Sequence, residues 1–161
     1  MAQINPGRSW SGRWFAKSTK SGDAKHLNSS RNTFDTGPLL LYFGEDLRVK
    51  KFLDEIRHGK AVGSTCELNL AELYYKTCEK LGRETAQIRY LSIRRSGLSV
   101  VAPGESLSRL AGELKCKHRC KLSLLDAYIL AVAIEERSRL ITSDSRISEM
   151  DLVPTRFMEP T

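Results

Sequence analysis

The sequence predicts an α/β protein whose parallel sheet is covered on both faces by helices. Two observations predict it. Short apolar runs such as AVGST (61–65), LSVV (98–101) and RLIT (139–142) alternate with longer stretches of helical periodicity. One of those stretches, SLLDAYILAVAIEERS, is apolar nearly all round, which requires burial in the body of the fold. At 161 residues the chain has the length of one domain with a real core.

The elements follow in order from Phe34. In GEDLRVKKFLDEIRHG, Val49, Phe52, Leu53 and Ile56 recur at helical spacing, and Gly59 marks the end. AVGST is a short buried strand. CELNLAELYYKTCEKLG is a second helix, with Leu70, Tyr74, Cys78 and Leu81 expected on its buried stripe and Gly82 as its stop. A third helix runs through ETAQIRYLSIRR to Gly97, and LSVVAP is a strand closed by Pro103. SLSRLAGELKCKH aligns Leu107, Leu110, Ala111 and Leu114 as a further helix. The apolar helix beginning near Ser123 comes next, and RLIT and LVPTRF supply the last strands.

Composition bounds what this fold does. With 40% hydrophobic and 28% charged residues the chain is an ordinary globular protein, and no run nears the roughly 18 apolar residues of a membrane span. The first 20 residues lack the apolar core of a secretory signal, so the four cysteines are expected as reduced thiols in the cytoplasm. The net charge of +7 belongs mainly to residues 1–32, which carry six of the 26 Lys and Arg residues and one acid. The remaining 20 bases and 18 acids leave residues 33–161 at +2. Residues 1–32 are expected to form a basic, disordered extension, and 33–158 the folded domain. Within that extension Trp10, Trp14 and Phe15 interleave with Arg8, Arg13 and Lys17, a pattern suited to single-stranded nucleic acid or to a leader of no function.

Four acids carry the chemistry. Asp35 opens FDTG at the expected end of a strand, where open α/β sheets bind ligands. The tripeptide Asp-Thr-Gly also occurs in aspartic proteases, but those are β-folds and the helical periodicity excludes them. Asp126 lies three residues beyond Ser123 at the start of the apolar helix, Asp144 follows the strand RLIT, and Glu72 sits on a partly apolar helix face. Each has an ordinary reading: Asp35 and Asp144 as turn or cap residues, Asp126 as half of a capping box, Glu72 as a solvated edge residue. One explanation covers all four. Carboxylates gathered at the strand ends repel one another unless they surround a hard divalent cation such as Mg²⁺ or Mn²⁺, which takes oxygen ligands and suits phosphoryl chemistry.

Taken in order, FDTGPLLLYF, STCELNLAELYYKTCEKLG, KLSLLDAYILAVAIEERS and RLITSDSRI resemble the PIN domain family of metal-dependent ribonucleases, which includes VapC-type toxins. The resemblance spans nearly all of residues 34–158. It implies a three-layer α/β/α sandwich around a five-stranded parallel sheet, with Asp35, Glu72, Asp126 and Asp144 as an acidic quartet. It further implies Asp35 and Asp126 as the principal metal ligands, Glu72 and Asp144 completing the pocket, and hydroxyls at Thr36 and Thr142 beside it. The implied activity is Mg²⁺- or Mn²⁺-dependent endonucleolytic cleavage of RNA by the toxin of a toxin–antitoxin pair, a homodimer inhibited by a small antitoxin. A housekeeping RNA-processing nuclease and an inactive binding module are the alternatives. The chain departs from the family in its first strand, for which NSSRNTFDTG offers only Phe34, so a short strand is expected.

Other chemistries lack their signatures. There is no phosphate-binding GxGxxG or GKS/T loop, no GxSxG elbow, and no D-x-D after the first strand. KCKHRCK offers Cys116, His118 and Cys120, with the two sulfurs expected on one helical face, but no second cysteine pair completes a zinc site. The bases of that stretch, Lys115, Lys117, Arg119 and Lys121, are either a solvated turn or a phosphate approach to Asp126.

Overall fold

The computed structural model describes residues 30–160. Eleven elements alternate along them. They are β1 (Ser30–Phe34), α1 (Thr36–Phe43), α2 (Leu47–Arg57), β2 (Ala61–Cys66), α3 (Glu67–Arg94), β3 (Ser99–Val101), α4 (Glu105–Lys117), α5 (Leu124–Glu135), β4 (Arg139–Thr142), α6 (Ser145–Glu149) and β5 (Thr155–Phe157). All strand pairs are parallel, in the order β3-β2-β1-β4-β5. The α/β/α sandwich with a five-stranded parallel sheet is the architecture expected from the sequence.

Two cores flank the sheet. Leu39, Val49, Leu53, Leu70, Leu73 and Ile93 from α1, α2 and α3 pack with Phe34 and Ile141 on one side. Leu107, Ala111, Ile129, Leu130 and Val132 from α4 and α5 pack with Leu140 on the other. Leu140 and Ile141 are neighbours in β4 yet serve opposite cores, because successive strand residues point to opposite faces. The helix α5 is buried along Ala127 and Ile129–Ala133, as its all-round apolarity requires.

The first strand is longer than expected and polar. It reaches back to Ser30, so 30–32, assigned from composition to the extension, are its first three residues; the aromatic and basic residues proposed for nucleic-acid contact lie outside the described residues. Asn32, Thr33 and Phe34 are buried at the centre of the sheet. Neighbouring residues bond the Thr33 hydroxyl and the Asn32 carbonyl oxygen, while Asn32 Nδ2 is buried without a partner among the described residues. Thr33 Oγ1 lies 2.9 Å from Ser64 Oγ and 2.5 Å from Ser138 Oγ, and the Arg139 guanidinium donates to Asn32 Oδ1 at 3.0 and 3.2 Å. These hydrogen bonds offset part of a desolvation cost of about 1–3 kcal/mol per unpaired buried polar group.

The segment read as two helices meeting at Gly82 is one element with a break there, at φ 84° and ψ 166°. That conformation is essentially confined to glycine. The buried stripe of its first half is Asn69, Leu70, Leu73 and Thr77, so Leu81, expected inside, is 53% exposed. The helix α4 ends at Lys117, which leaves Cys120 in a turn rather than on the helical face with Cys116. The short α6 has no counterpart in the sequence reading: its five residues are too few for periodicity to register.

Candidate active site

Asp35 stands where β1 ends. Its N–H donates to Ile141 O across the β1–β4 pair at 3.0 Å, and its side chain caps α1. Since β1 connects to β2 on one side and borders β4 on the other, this is the switch point at which open α/β sheets place their sites. The adjacent Thr36 and two distant residues fix the carboxylate. Oδ1 accepts from Thr36 N at 2.7 Å and from Asn69 Nδ2 at 3.0 Å, and Oδ2 accepts from Thr142 Oγ1 at 2.7 Å. Asn69 also donates to Thr36 Oγ1 at 3.0 Å. A close approach locks the corner, because a Cβ on Gly37 would stand 1.8 Å from Ser143 Oγ.

Burial pushes the Asp35 carboxyl up from its ordinary 3.8 to about 6. The Thr142 hydroxyl and the Thr36 N–H pull it down, and the carboxylates of Glu72 and Asp126 push it further up. Glu72 and Asp126 thus bear electrostatically on Asp35. Asp144 joins through Thr142, whose Oγ1 accepts from Asp144 N at 3.0 Å.

The three other acids hold local partners. Glu72 Oε1 is 2.7 Å from Lys76 Nζ one turn along α3. Asp126 and Ser123 form the capping box foreseen in the sequence: Asp126 N donates to Ser123 Oγ at 3.0 Å, and Ser123 N donates to Asp126 Oδ2 at 2.8 Å. Asp144 caps α6 through Arg146 N at 2.8 Å and meets the Arg146 guanidinium at 2.7 Å, which holds its carboxyl below the usual range. The cap readings are therefore present for Asp35, Asp126 and Asp144.

No three His, Cys, Asp or Glu side chains among the described residues form a ready-made metal cage. The donor set nonetheless fits a hard dication. It is all oxygen, and its innermost member has no ion-pair contact among the described residues and is pushed toward the neutral form by burial. Asp35 and Asp126 would hold such an ion, with Glu72 and Asp144 adding negative charge around it.

The zinc possibility finds no support: Cys116 and Cys120 are exposed free thiols. Lys115 is taken up by the turn it precedes, donating to Leu122 O at 2.6 Å and to Arg119 O. Lys117, Arg119 and Lys121 remain exposed ahead of Asp126. Asn69 is the site residue the sequence reading missed. Its signal was an amide one turn before Glu72 and two before Lys76, on one face of the helix.

The profile of the PIN domain family matches residues 33–152, and the chain belongs to that family. A search of curated proteins finds no match. Among solved structures the chain is similar to the VapBC2 complex of Rickettsia felis bound to a promoter DNA fragment, at 18% identity and a TM-score of 0.65, covering 79% of this chain and 98% of that one. It is also similar to Mycobacterium tuberculosis VapC20, a sarcin–ricin loop cleaving toxin, at 21% identity and a TM-score of 0.61, covering 76% and 96%. FitAcB of Neisseria gonorrhoeae aligns at 16% identity and a TM-score of 0.58, covering 79% and 96%. At these identities the likeness establishes the fold. No helix among the described residues is long and apolar enough to cross a membrane.

Proposed function

We propose that the protein is a metal-dependent endoribonuclease, the toxin of a toxin–antitoxin pair. One observation carries the reading: a PIN-family chain holds a buried carboxylate, Asp35, at its sheet switch point with Glu72 and Asp126 acting on it. A bound Mg²⁺ or Mn²⁺ supplies a water of lowered pKa and stabilises charge on the phosphodiester. The chain's own part is to orient. Thr142, Asn69 and the Thr36 N–H hold both Asp35 oxygens in one rotamer, so Asp35 loses little freedom on ligation. Asp126 reaches the site from the first turn of α5, and the capping box fixes that turn. Glu72 and Asp144 complete the negative pocket, and the exposed Lys117, Arg119 and Lys121 offer cations to the substrate beside Asp126. The toxin role draws support from neighbours that are toxins or toxin–antitoxin complexes. A homodimer and a small protein antitoxin covering the acidic pocket belong to the same reading, with a cytoplasmic site of action.

The test is cleavage of a mixed single-stranded RNA pool in Mg²⁺, Mn²⁺ or EDTA, beside Asp126→Asn. The asparagine oxygen still accepts from Ser123 N, so helix and fold persist while the charge is lost. Cleavage that needs metal and disappears in the variant is the expected result. Equal inertness of two folded proteins would refute the enzyme. Expression without a partner is expected to arrest growth, and unimpaired growth of a cleaving protein would assign it to RNA processing instead.

A further inference from the structure

We infer that the groove between α1 and α3 is a subsite for the single-stranded RNA flanking the cut, with Lys80 and Arg89 holding its phosphates. The inference rests on the nuclease reading and adds a place for the substrate. Leu40, Phe43 and Leu81 form the groove's apolar floor, Lys76, Lys80 and Arg89 its charged wall, and it encloses about 280 Å³. No carboxylate lines it. Among the described residues Lys80 has no acidic partner and Arg89 has none either; Arg89 lies over the Phe43 ring at 4.9 Å.

Three features favour an RNA strand as the occupant. Glu72, Lys76 and Lys80 follow one another at four-residue spacing and so form a single stripe along α3. The stripe begins at the acidic pocket, where Lys76 touches Glu72 at 2.7 Å, and runs about 12 Å to Lys80, the reach of a few nucleotides. Charge complementarity points the same way, since uncompensated cations beside an apolar floor match phosphates with bases between them. A second groove, on α2, offers the contrast. Lys50, Lys51, His58 and Lys60 line it, but so do Asp54 and Glu55, and its charges largely cancel.

The experiment measures binding of a fluorescein-labelled mixed-sequence RNA dodecamer by anisotropy, in EDTA so that no cleavage intervenes, across a series of salt concentrations. Wild type, Lys80→Ala/Arg89→Ala and Lys50→Ala/Lys51→Ala are compared, with melting temperatures confirming that each is folded. The expected result is that the groove variant binds several-fold more weakly and that its log–log salt slope is flatter by about 1.4, two phosphate contacts at roughly 0.7 each for single strands. The α2 variant, which loses the same charge, keeps the wild-type slope. Parallel slopes for wild type and groove variant overturn the subsite while leaving the nuclease reading to its own cleavage assay. An equal loss in both variants overturns it too, by showing that only net charge matters. Displacement from the groove by an acidic peptide, with RNA binding untouched by the groove substitutions, assigns the groove to a protein partner and also overturns it.

Discussion

Asp35 and its three acidic neighbours are anchored in opposite ways. Every partner of Asp126 and Asp144 lies within three residues, and that of Glu72 within four. Asp35 instead draws on Asn69 and Thr142, 34 and 107 residues away. Local partners form with the helix and yield with it, whereas the Asn69 and Thr142 contacts of Asp35, unlike its cap to Thr36 N, exist only when distant parts of the chain have assembled. The difference separates an anchor held by the tertiary fold from three acids held by their own helices.

Substitution of the anchor is expected to have the largest effect. The raised value of Asp35 means that, between pH 3.8 and about 6, the folded protein holds a proton the unfolded chain has released. Stability from this group therefore rises as pH falls through that window and is lowest above it. Asp35→Asn should abolish cleavage, at least about 100-fold, yet stabilise the metal-free protein by up to about 3 kcal/mol at pH 7. Urea melts from pH 4 to 7 should show the wild-type slope flattened in the variant. An anchor whose loss destabilises the protein at neutral pH contradicts the electrostatic account.

Next in size are the residues that hold the anchor. Thr142→Val removes the donor to Oδ2, and Asn69→Leu the donor to Oδ1. Each should weaken Mn²⁺ binding, read by titration calorimetry, about 10–100-fold. A smaller change probes the locally held set: Arg146→Ala frees Asp144 from an exposed guanidinium and should tighten Mn²⁺ binding a few-fold in low salt, with the gain fading in high salt. Smallest for function is Ser123→Ala. Loss of the cap should cost about 1 kcal/mol in melting experiments while cleavage changes less than tenfold. An effect of Ser123→Ala on metal affinity as large as that of Thr142→Val would erase the distinction between the anchored and the locally held acids.

The same division decides what was legible in the sequence. The helices α2, α4 and α5 and the strands β2 and β4 declare themselves through periodicity and apolar runs, and the cap at Ser123 and Asp126 through a three-residue spacing. These are local signals. The polar strand β1 is hidden, because Asn32 and Thr33 are buried by side chains roughly 31 to 107 residues distant, and no window around them reveals that. Asn69 is hidden for the same reason: its role exists only once α3 lies across the end of β1. The four acids stand out in the sequence, with local cap or turn roles for Asp35, Asp126 and Asp144 that the structure contains, but the distant partners of Asp35 do not.

The break at Gly82 has a further consequence. Nothing lies within 4 Å of a Cβ placed there, and the residue is exposed. A survey of tolerated substitutions ranked by exposure alone would place it among the most permissive positions in the chain. The backbone angle predicts the reverse, since any side chain at φ 84° and ψ 166° is strained. Relief of that strain would shift the second half of α3, and with it Arg89, relative to Lys76 and Lys80. The spacing of the three cations along the groove therefore depends on a residue that does not line it.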